Sequence, residues 1–367
     1  MSQLKVGIVG QGRSGRNIHA LTLSKLPEMF HIAAVTDTSA ERRKRAEEEF
    51  GCDSYADYRD LFKRKDIDLI VNATPSHMHV KLTREFLEKG FHVLCEKPLA
   101  RNVSDVDILI ETAAEKGKTL AVFQNSRYAP AYVHMRKIID SGVLGRIVKI
   151  SINHNKFSRR WDWQTLKANH GGNLLNTGTH QLDQALQFFN TDTVPEVTCF
   201  MDRTNSFGDA EDYVKIMLSE VERPLLDIEI SSTSAYPGWN YHVQGTHGGI
   251  SGTEKQLNWK YYRPEEAPEQ KLVEEPLENS DGIPVYGKEK LMWYEDSWFL
   301  KGNMWEMMFS SYYIDFYHSL ADRKPLQVTP IQIRQQAAVI EECFRQNPLY
   351  SSEEMRRNKK ENTLHET

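Results

Sequence analysis

The chain of 367 residues carries 46 Lys+Arg against 51 Asp+Glu, a formal charge of −5 at pH 7. That balance supplies no positive field for a phosphate backbone, so nucleic acid is not expected as a partner. With 40% hydrophobic and 26% charged residues, the composition argues for folded cores, and the length for two domains with a cleft between them.

From residue 4 to about residue 122, short apolar segments alternate with amphipathic ones. Strands are predicted at Val6–Val9, Ile32–Thr36, Leu69–Ala73, His92–Cys95 and Leu120–Phe123, and helices at Gly15–Leu26, Ala40–Phe50, Val80–Lys89 and Val103–Lys116. This alternation implies right-handed β-α-β crossovers and an α/β, doubly wound parallel sheet of the Rossmann type. Beyond about residue 127 the β-like stretches Ile147–His154, Glu196–Phe200, Tyr213–Leu218 and Leu226–Ser231 follow one another with few helices between. An α+β domain on a large open, mostly antiparallel sheet is therefore expected. Glu265–Glu278, rich in acidic residues and proline, reads as a surface insertion, while Met307–Leu320 and Pro330–Arg345 read as helices. The second of these is entered through Thr329-Pro330, a helix-start signal. The expected division is 1–126 for the dinucleotide-binding domain, 127–350 for the substrate and oligomerisation domain, and 351–367 for a polar tail.

No apolar run reaches the ~18–20 residues that span a bilayer, and the opening residues lack a signal-peptide layout. A cytoplasmic protein without a membrane partner is expected. Cys52, Cys95, Cys199 and Cys343 are scattered without metal or disulfide spacing, so all four read as small buried or half-buried residues and no metal site is expected.

The first motif that carries chemistry is Gly10-Gln11-Gly12-Arg13-Ser14-Gly15, between the first strand and the first helix. Glycine at 10 permits a tight turn, at 12 the approach of a pyrophosphate, and at 15 close packing of helix on strand. The helix N-terminus then offers unpaired N–H groups to phosphate. Asp37 ends the second predicted strand 22 positions after Gly15, close to the ~20 expected of a ribose-binding carboxylate. A carboxylate there repels a 2′-phosphate and Thr38 supplies no cation, so NAD is favoured over NADP. Arg42 and Arg43 keep NADP open, although they share a helix with Glu41 and Glu47.

Thr74-Pro75-Ser76-His77-Met78-His79 closes the third strand, and Glu96-Lys97-Pro98 closes the next. Both lie at the carboxyl edge of the sheet, where such folds bind ligands. Together with Asn125-x-Arg127-x-x-Pro130 and the segment Gly171-Gly172-Asn173 through His180-Gln181-Leu182-Asp183, these motifs make the chain resemble the Gfo/Idh/MocA family of nicotinamide-dependent oxidoreductases. The resemblance covers nearly the whole chain. It implies cofactor contacts from Gly10, Gly12, Arg13, Ser14, Gly15, Asp37, Thr74, Pro75, His79, Glu96, Lys97 and Asn125. It also implies that Lys97 holds the reacting oxygen while His180 exchanges the proton, imidazole being suited to that task near neutral pH.

Many relatives carry aspartate four residues before the histidine, where this chain has Asn176. An amide binds a hydroxyl but cannot ionise, which removes a Lys-Asp-His proton relay. Asp183, one helical turn from His180, is a candidate partner for the imidazole or a substrate contact, with a structural role in the helix as its rival. Arg159-Arg160-Trp161-Asp162-Trp163 and the aromatic run from Tyr236 to His242 suit a sugar ring, and Arg159, Trp161 and Trp163 are candidate substrate contacts. An aromatic core or a subunit interface would explain the same residues. The expected activity is hydride transfer between the nicotinamide and a secondary hydroxyl or ketone of a polyol, sugar, cyclitol or glycoside. The alternatives are an NAD- or sugar-sensing protein without turnover, or a reductase of a non-sugar carbonyl or imine. Because an open sheet would expose apolar surface, a homodimer or homotetramer is expected.

Overall fold

The computed structural model describes residues 3–348, so the polar tail expected at 351–367 lies outside the described residues. The apolar runs of the first third pair in parallel. β1 (Leu4–Val9), β2 (Phe30–Thr36), β3 (Asp53–Tyr55), β4 (Leu69–Asn72), β5 (His92–Cys95) and β6 (Leu120–Val122) form one sheet in the order β3-β2-β1-β4-β5-β6. The order reverses between β1 and β4, and at such a switch point the strand ends leave a crevice. The helices are α1 over residues 15–23, which opens with wide turns at Gly15–Ala20, then α2 (Ala40–Phe50), α3 (His79–Glu88) and α4 (Val103–Lys116). Local chemistry sets their ends. The Ser39 hydroxyl accepts the Arg42 N–H at the start of α2, and Gly51 ends it at a φ of 63°. Asn102 and Gly117 do the same for α4.

After α5 (Pro130–Asp140) and β7 (Ile147–Asn155) comes α6, over residues 174–186, whose first turns, Leu174–Gly178, are also wide. The strands β8 (Glu196–Asp202), β9 (Tyr213–Ser219), β10 (Leu225–Ser231), β11 (Tyr241–Gly245), β12 (Gly248–Gly252), β13 (Gln256–Tyr261) and β14 (Tyr294–Phe299) follow. With β7 they build an eight-stranded sheet, β14-β13-β12-β11-β7-β10-β9-β8, antiparallel except for the pair β7 and β10. One face is apolar: Ile150 and Ile152 of β7, Ile228 and Ile230 of β10, and Val214 and Ile216 of β9 join the core that contains Leu182 and Ala185 of α6.

The opposite face is mixed. It is polar where β7, β10 and β9 meet, because the alternate residues Lys149, Ser151, Asp227, Glu229 and Lys215 point there and pair: Lys149 with Asp227 at 2.5 Å, and Lys215 with both Asp227 and Glu229. Met217 of β9 and Phe200 of β8 lie on the same face and stay exposed, so this part of it offers a second subunit charged pairs flanked by apolar side chains.

Two late helices bind the sheets together. α7 (Met304–Ala321) places Tyr312, Tyr313, Phe316 and Tyr317 in the core of the first sheet, and Met308 in the core of the second. α8 (Pro330–Gln346) contributes Ile333 and Ala337 to one core and Val339, Ile340 and Cys343 to the other. Its start is a capping box, in which the Thr329 hydroxyl accepts the Gln332 N–H and the Gln332 side chain accepts the Thr329 N–H. All four cysteines are free and buried. The acidic stretch at 265–278 lies on the surface between β13 and β14. No helix among the described residues is long and apolar enough to cross a membrane.

Candidate active site

The turn after β1 works only with glycine. Gly10 has a φ of 92°, and a Cβ on Gly15 would sit 1.8 Å from the Gly10 carbonyl oxygen. Gly12 faces open space, with nothing within 4 Å of where its Cβ would be. At the end of β2 the Asp37 carboxylate accepts N–H bonds from Gln11 and Ser39, both at 2.8 Å, and the Arg42 guanidinium lies 3.5 Å away. Turn and carboxylate line one wall of a cleft of about 1270 Å³ that also takes in Thr74, Pro75, Glu96, Lys97, Asn125, Asn176 and His180. These residues fit a dinucleotide: the open cradle at Gly12, at the entrance to α1, admits phosphate, and Asp37 stands where a ribose would lie.

β4 and β5 end beside that turn. The Thr74 hydroxyl donates to Asn72 Oδ1 at 2.7 Å, and the buried His79 ring bridges the carbonyl oxygens of Pro98 at 2.7 Å and Thr74 at 2.9 Å. His79, expected as a cofactor contact, lines the cleft and also sits between the two loops, its neutral ring able to donate to one of the two carbonyl oxygens. Glu96 is similarly committed. Its Oε1 lies 3.1 Å from His19 Nε2 and its Oε2 accepts the Lys97 N–H, while His19 Nδ1 meets the Tyr313 hydroxyl at 2.7 Å. Burial pushes the Glu96 carboxyl up, but the His19 hydrogen bond and the His19 and Lys97 charges outweigh it and leave the pKa low.

The chain then brings α6 beside the loop that follows β5. Lys97 Nζ donates to the backbone oxygen of Asn176, and His180, one turn further along α6, has its Nδ1 3.2 Å from Gln124 Oε1. Burial lowers the Lys97 pKa and the Arg13 and Arg160 charges lower it further, against the Glu96 charge that raises it. Burial, then the Lys97 charge, depress His180 to about 3. The site thus sets the Lys97 amine, a hydrogen-bond donor, beside an imidazole that is unprotonated at physiological pH and able to accept a proton.

The Asn176 side chain lines the cleft and donates to the Gln164 carbonyl oxygen at 3.0 Å. Trp163 also lines it. Trp161 does not and is 81% exposed, and Arg159 stacks over the Phe207 ring at 5.1 Å while its neighbour Arg160 faces the cleft. The inward residues are Arg160, Asp162, Trp163 and Gln164, where the run bends into the short turn Trp163–Thr165. Asp183 is turned away from His180 and from the cleft. It is 1% exposed and holds Arg127 through two bonds of 2.7 and 2.8 Å. Of the later aromatic run only Tyr241 reaches the cleft; Tyr236 is 96% exposed.

Sequence reasoning missed His154, Lys156, Gln164 and Glu254, and the α7 residues Met304, Trp305, Met308 and Phe309. His154 had a signal: it continues the inward row Ile150, Ile152 of β7, and a polar residue ending such a row marks where core gives way to pocket. Burial and the Lys156 charge lower its pKa to about 4. The α7 residues had none, since they reach the site only through tertiary packing.

Among the described residues no cluster of three His, Cys, Asp or Glu side chains could hold a metal ion. A switch-point crevice lined by a glycine turn, opening toward a second sheet, defines a dinucleotide-binding α/β class. Residues 4–124 match the model described as "Oxidoreductase family, NAD-binding Rossmann fold", and residues 132–251 match the GFO/IDH/MocA C-terminal domain. The chain belongs to the Gfo/Idh/MocA oxidoreductase family. An oxidoreductase of Schizosaccharomyces pombe is 28% identical over 273 residues, covering 70% of this chain and 74% of its own. The scyllo-inositol 2-dehydrogenase (NADP(+)) IolW of Bacillus subtilis is 27% identical over 263 residues, 69% of this chain and 71% of its own. Among solved structures, levoglucosan dehydrogenase in complex with NADH and levoglucosan superposes with a TM-score of 0.74 at 19% identity, over 94% of this chain and 97% of that one. At that identity it speaks for the fold alone.

Proposed function

We propose that this protein is an NAD-dependent dehydrogenase that moves hydride between the nicotinamide and a secondary hydroxyl or ketone of a sugar, cyclitol or glycoside. The observation that carries the reading is the meeting of Lys97 and the α6 segment of Asn176 and His180 at the carboxyl edge of the first sheet. When bound, the nicotinamide accepts or returns a hydride. Gly10, Gly12, Arg13, Ser14 and Asp37 hold its dinucleotide portion. Lys97 orients the substrate oxygen, and His180, neutral through the working pH range, takes the hydroxyl proton. Asn176, Gln164, His154 and Glu254 offer hydrogen bonds to further hydroxyls, and Trp163 and Trp305 an apolar face for the ring. The name of the relative IolW, a scyllo-inositol 2-dehydrogenase, supports this substrate class. Asp37 supports NAD, while Arg42 beside it is the residue that NADP would use. A homodimer or homotetramer in the cytoplasm completes the proposal.

The test is a panel of sugars, cyclitols and glycosides with NAD or NADP, read as absorbance of the reduced nicotinamide. On the substrate found, Lys97→Ala and His180→Ala each lower kcat by at least ~100-fold while NADH still binds. Near-normal kcat in Lys97→Ala overturns the assignment.

A further inference from the structure

His180 meets an amide that is itself held by another amide, and that chain of bonds leaves no freedom in which end points where. It begins at α8. Gln336 Nε2 lies 2.7 Å from the backbone oxygen of Thr179, an acceptor only, so the Gln336 nitrogen must face it. The Gln336 oxygen is thereby turned to Gln124, 2.9 Å from its amide, and accepts from Gln124 Nε2. The oxygen of Gln124 is then the atom left for His180, 3.2 Å from Nδ1. Gln124 is 0% and Gln336 4% exposed, so water cannot take the place of either partner; reversing Gln336 would set oxygen against oxygen at Thr179 and nitrogen against nitrogen at Gln124, and reversing Gln124 would set its oxygen against that of Gln336, each in a buried place.

We propose that Gln124 and Gln336 are positioning residues that hold His180 as its Nδ1–H tautomer, leaving Nε2 unprotonated toward the cleft as the proton acceptor. This rests on His180 serving as the base, and it assigns the base to one atom. A neutral imidazole has one N–H; with it committed to Gln124, the lone pair of the other nitrogen is free for a substrate hydroxyl. The charged and titratable groups facing the ring are Lys97, Glu96 and His154. None of these supplies the Nδ1 bond, which falls to the amide alone.

The test has a spectroscopic and a kinetic arm. Protein labelled with ¹⁵N-histidine is examined by long-range ¹H–¹⁵N correlation at pH 7.5, the His180 signals being identified by their loss in His180→Gln. In the wild type the pattern is that of the Nδ1–H tautomer. Gln124→Met, which offers no acceptor, loses that pattern, and Gln336→Met, which frees the Gln124 amide to turn over, gives a mixture. On a confirmed substrate kcat falls at least ~10-fold in Gln124→Met with KM little changed, since a base held in the wrong tautomer can cost up to ~10⁴ in kcat. Unaltered NADH binding by both variants excludes misfolding as the cause. An Nε2–H pattern in the wild type, or an unchanged Nδ1–H pattern in Gln124→Met, overturns the proposal. A protein that shows the expected tautomers but oxidises nothing in the panel sinks the dehydrogenase reading and leaves the tautomer assignment standing.

Discussion

Removing Asp183 separates a structural from a catalytic role. The carboxylate is 1% exposed as a side chain and the Arg127 guanidinium 10%. Their bidentate pair is supplemented by Arg127 Nη1 donating to the Gln327 backbone oxygen at 2.6 Å and to Gln332 Oε1 at 2.7 Å. Asp183→Ala leaves the guanidinium in place with two neutral acceptors and no counter-charge, and breaking a buried pair in this way costs about 3–5 kcal/mol. Each kcal/mol shifts Tm by about 2–4 °C in a domain of 150–250 residues, so the expected drop is roughly 6–20 °C. Replacing both partners, Arg127→Met with Asp183→Leu, removes the unpaired charge and should recover most of that loss. Thermal unfolding followed by circular dichroism reads the stability, and kcat measured well below the lowered Tm reads the chemistry. The reasoning predicts that folded Asp183→Ala keeps kcat within a few-fold of the wild type. A Tm lowered by less than about 2 °C together with a hundredfold loss of kcat would refute it and return Asp183 to the side of His180.

Two further outcomes are expected. Asp37→Ala should narrow the preference of NAD over NADP, measured as Kd by nicotinamide fluorescence; a wild type that binds NADP more tightly contradicts the role given to this carboxylate. Glu211 tests the pH dependence of stability: buried against Gly172, it accepts the Leu174 N–H at 3.0 Å, and burial pushes its pKa up to about 7. With the folded pKa raised, the folded state binds the proton more tightly than the unfolded chain, so stability falls as pH rises from about 4.5 to about 7 and the loss, roughly 3 kcal/mol, is complete above that. Glu211→Gln should therefore raise Tm relative to the wild type more at pH 8 than at pH 5. An equal difference at both values would show that Glu211 does not titrate in this window.

Much of the first sheet is written locally. β5, α2 and α4 fall at their predicted bounds, because apolar periodicity, an N-cap side chain and a left-handed glycine all act within a few residues. The glycine turn is just as local, since Gly10 and Gly15 answer to backbone contacts that any residue with a Cβ would break. β3 was missed because three polar residues at a sheet edge have neither length nor alternation. β11 and β12 were missed because their glycines dilute the strand signal; Gly248 and Gly252 are there for closeness to β13, whose backbone oxygens would lie 2.1 and 2.2 Å from an added Cβ. The motif residues Lys97, Asn176 and His180 could be found from the sequence, but the partners of the polar side chains around them could not. Asp183 is three residues from His180 yet bonds Arg127, Glu96 bonds His19, and Gln124 bonds Gln336, 212 positions away. A buried polar group takes whichever partner the packed chain brings within about 3 Å, and no periodicity in the sequence encodes that distance. The same holds for α7, which the linear division assigns to the second domain and which the tertiary structure divides between both cores, because Tyr313 and Tyr317 pack on Phe30 of β2 and Tyr312 bonds the Val122 backbone oxygen of β6.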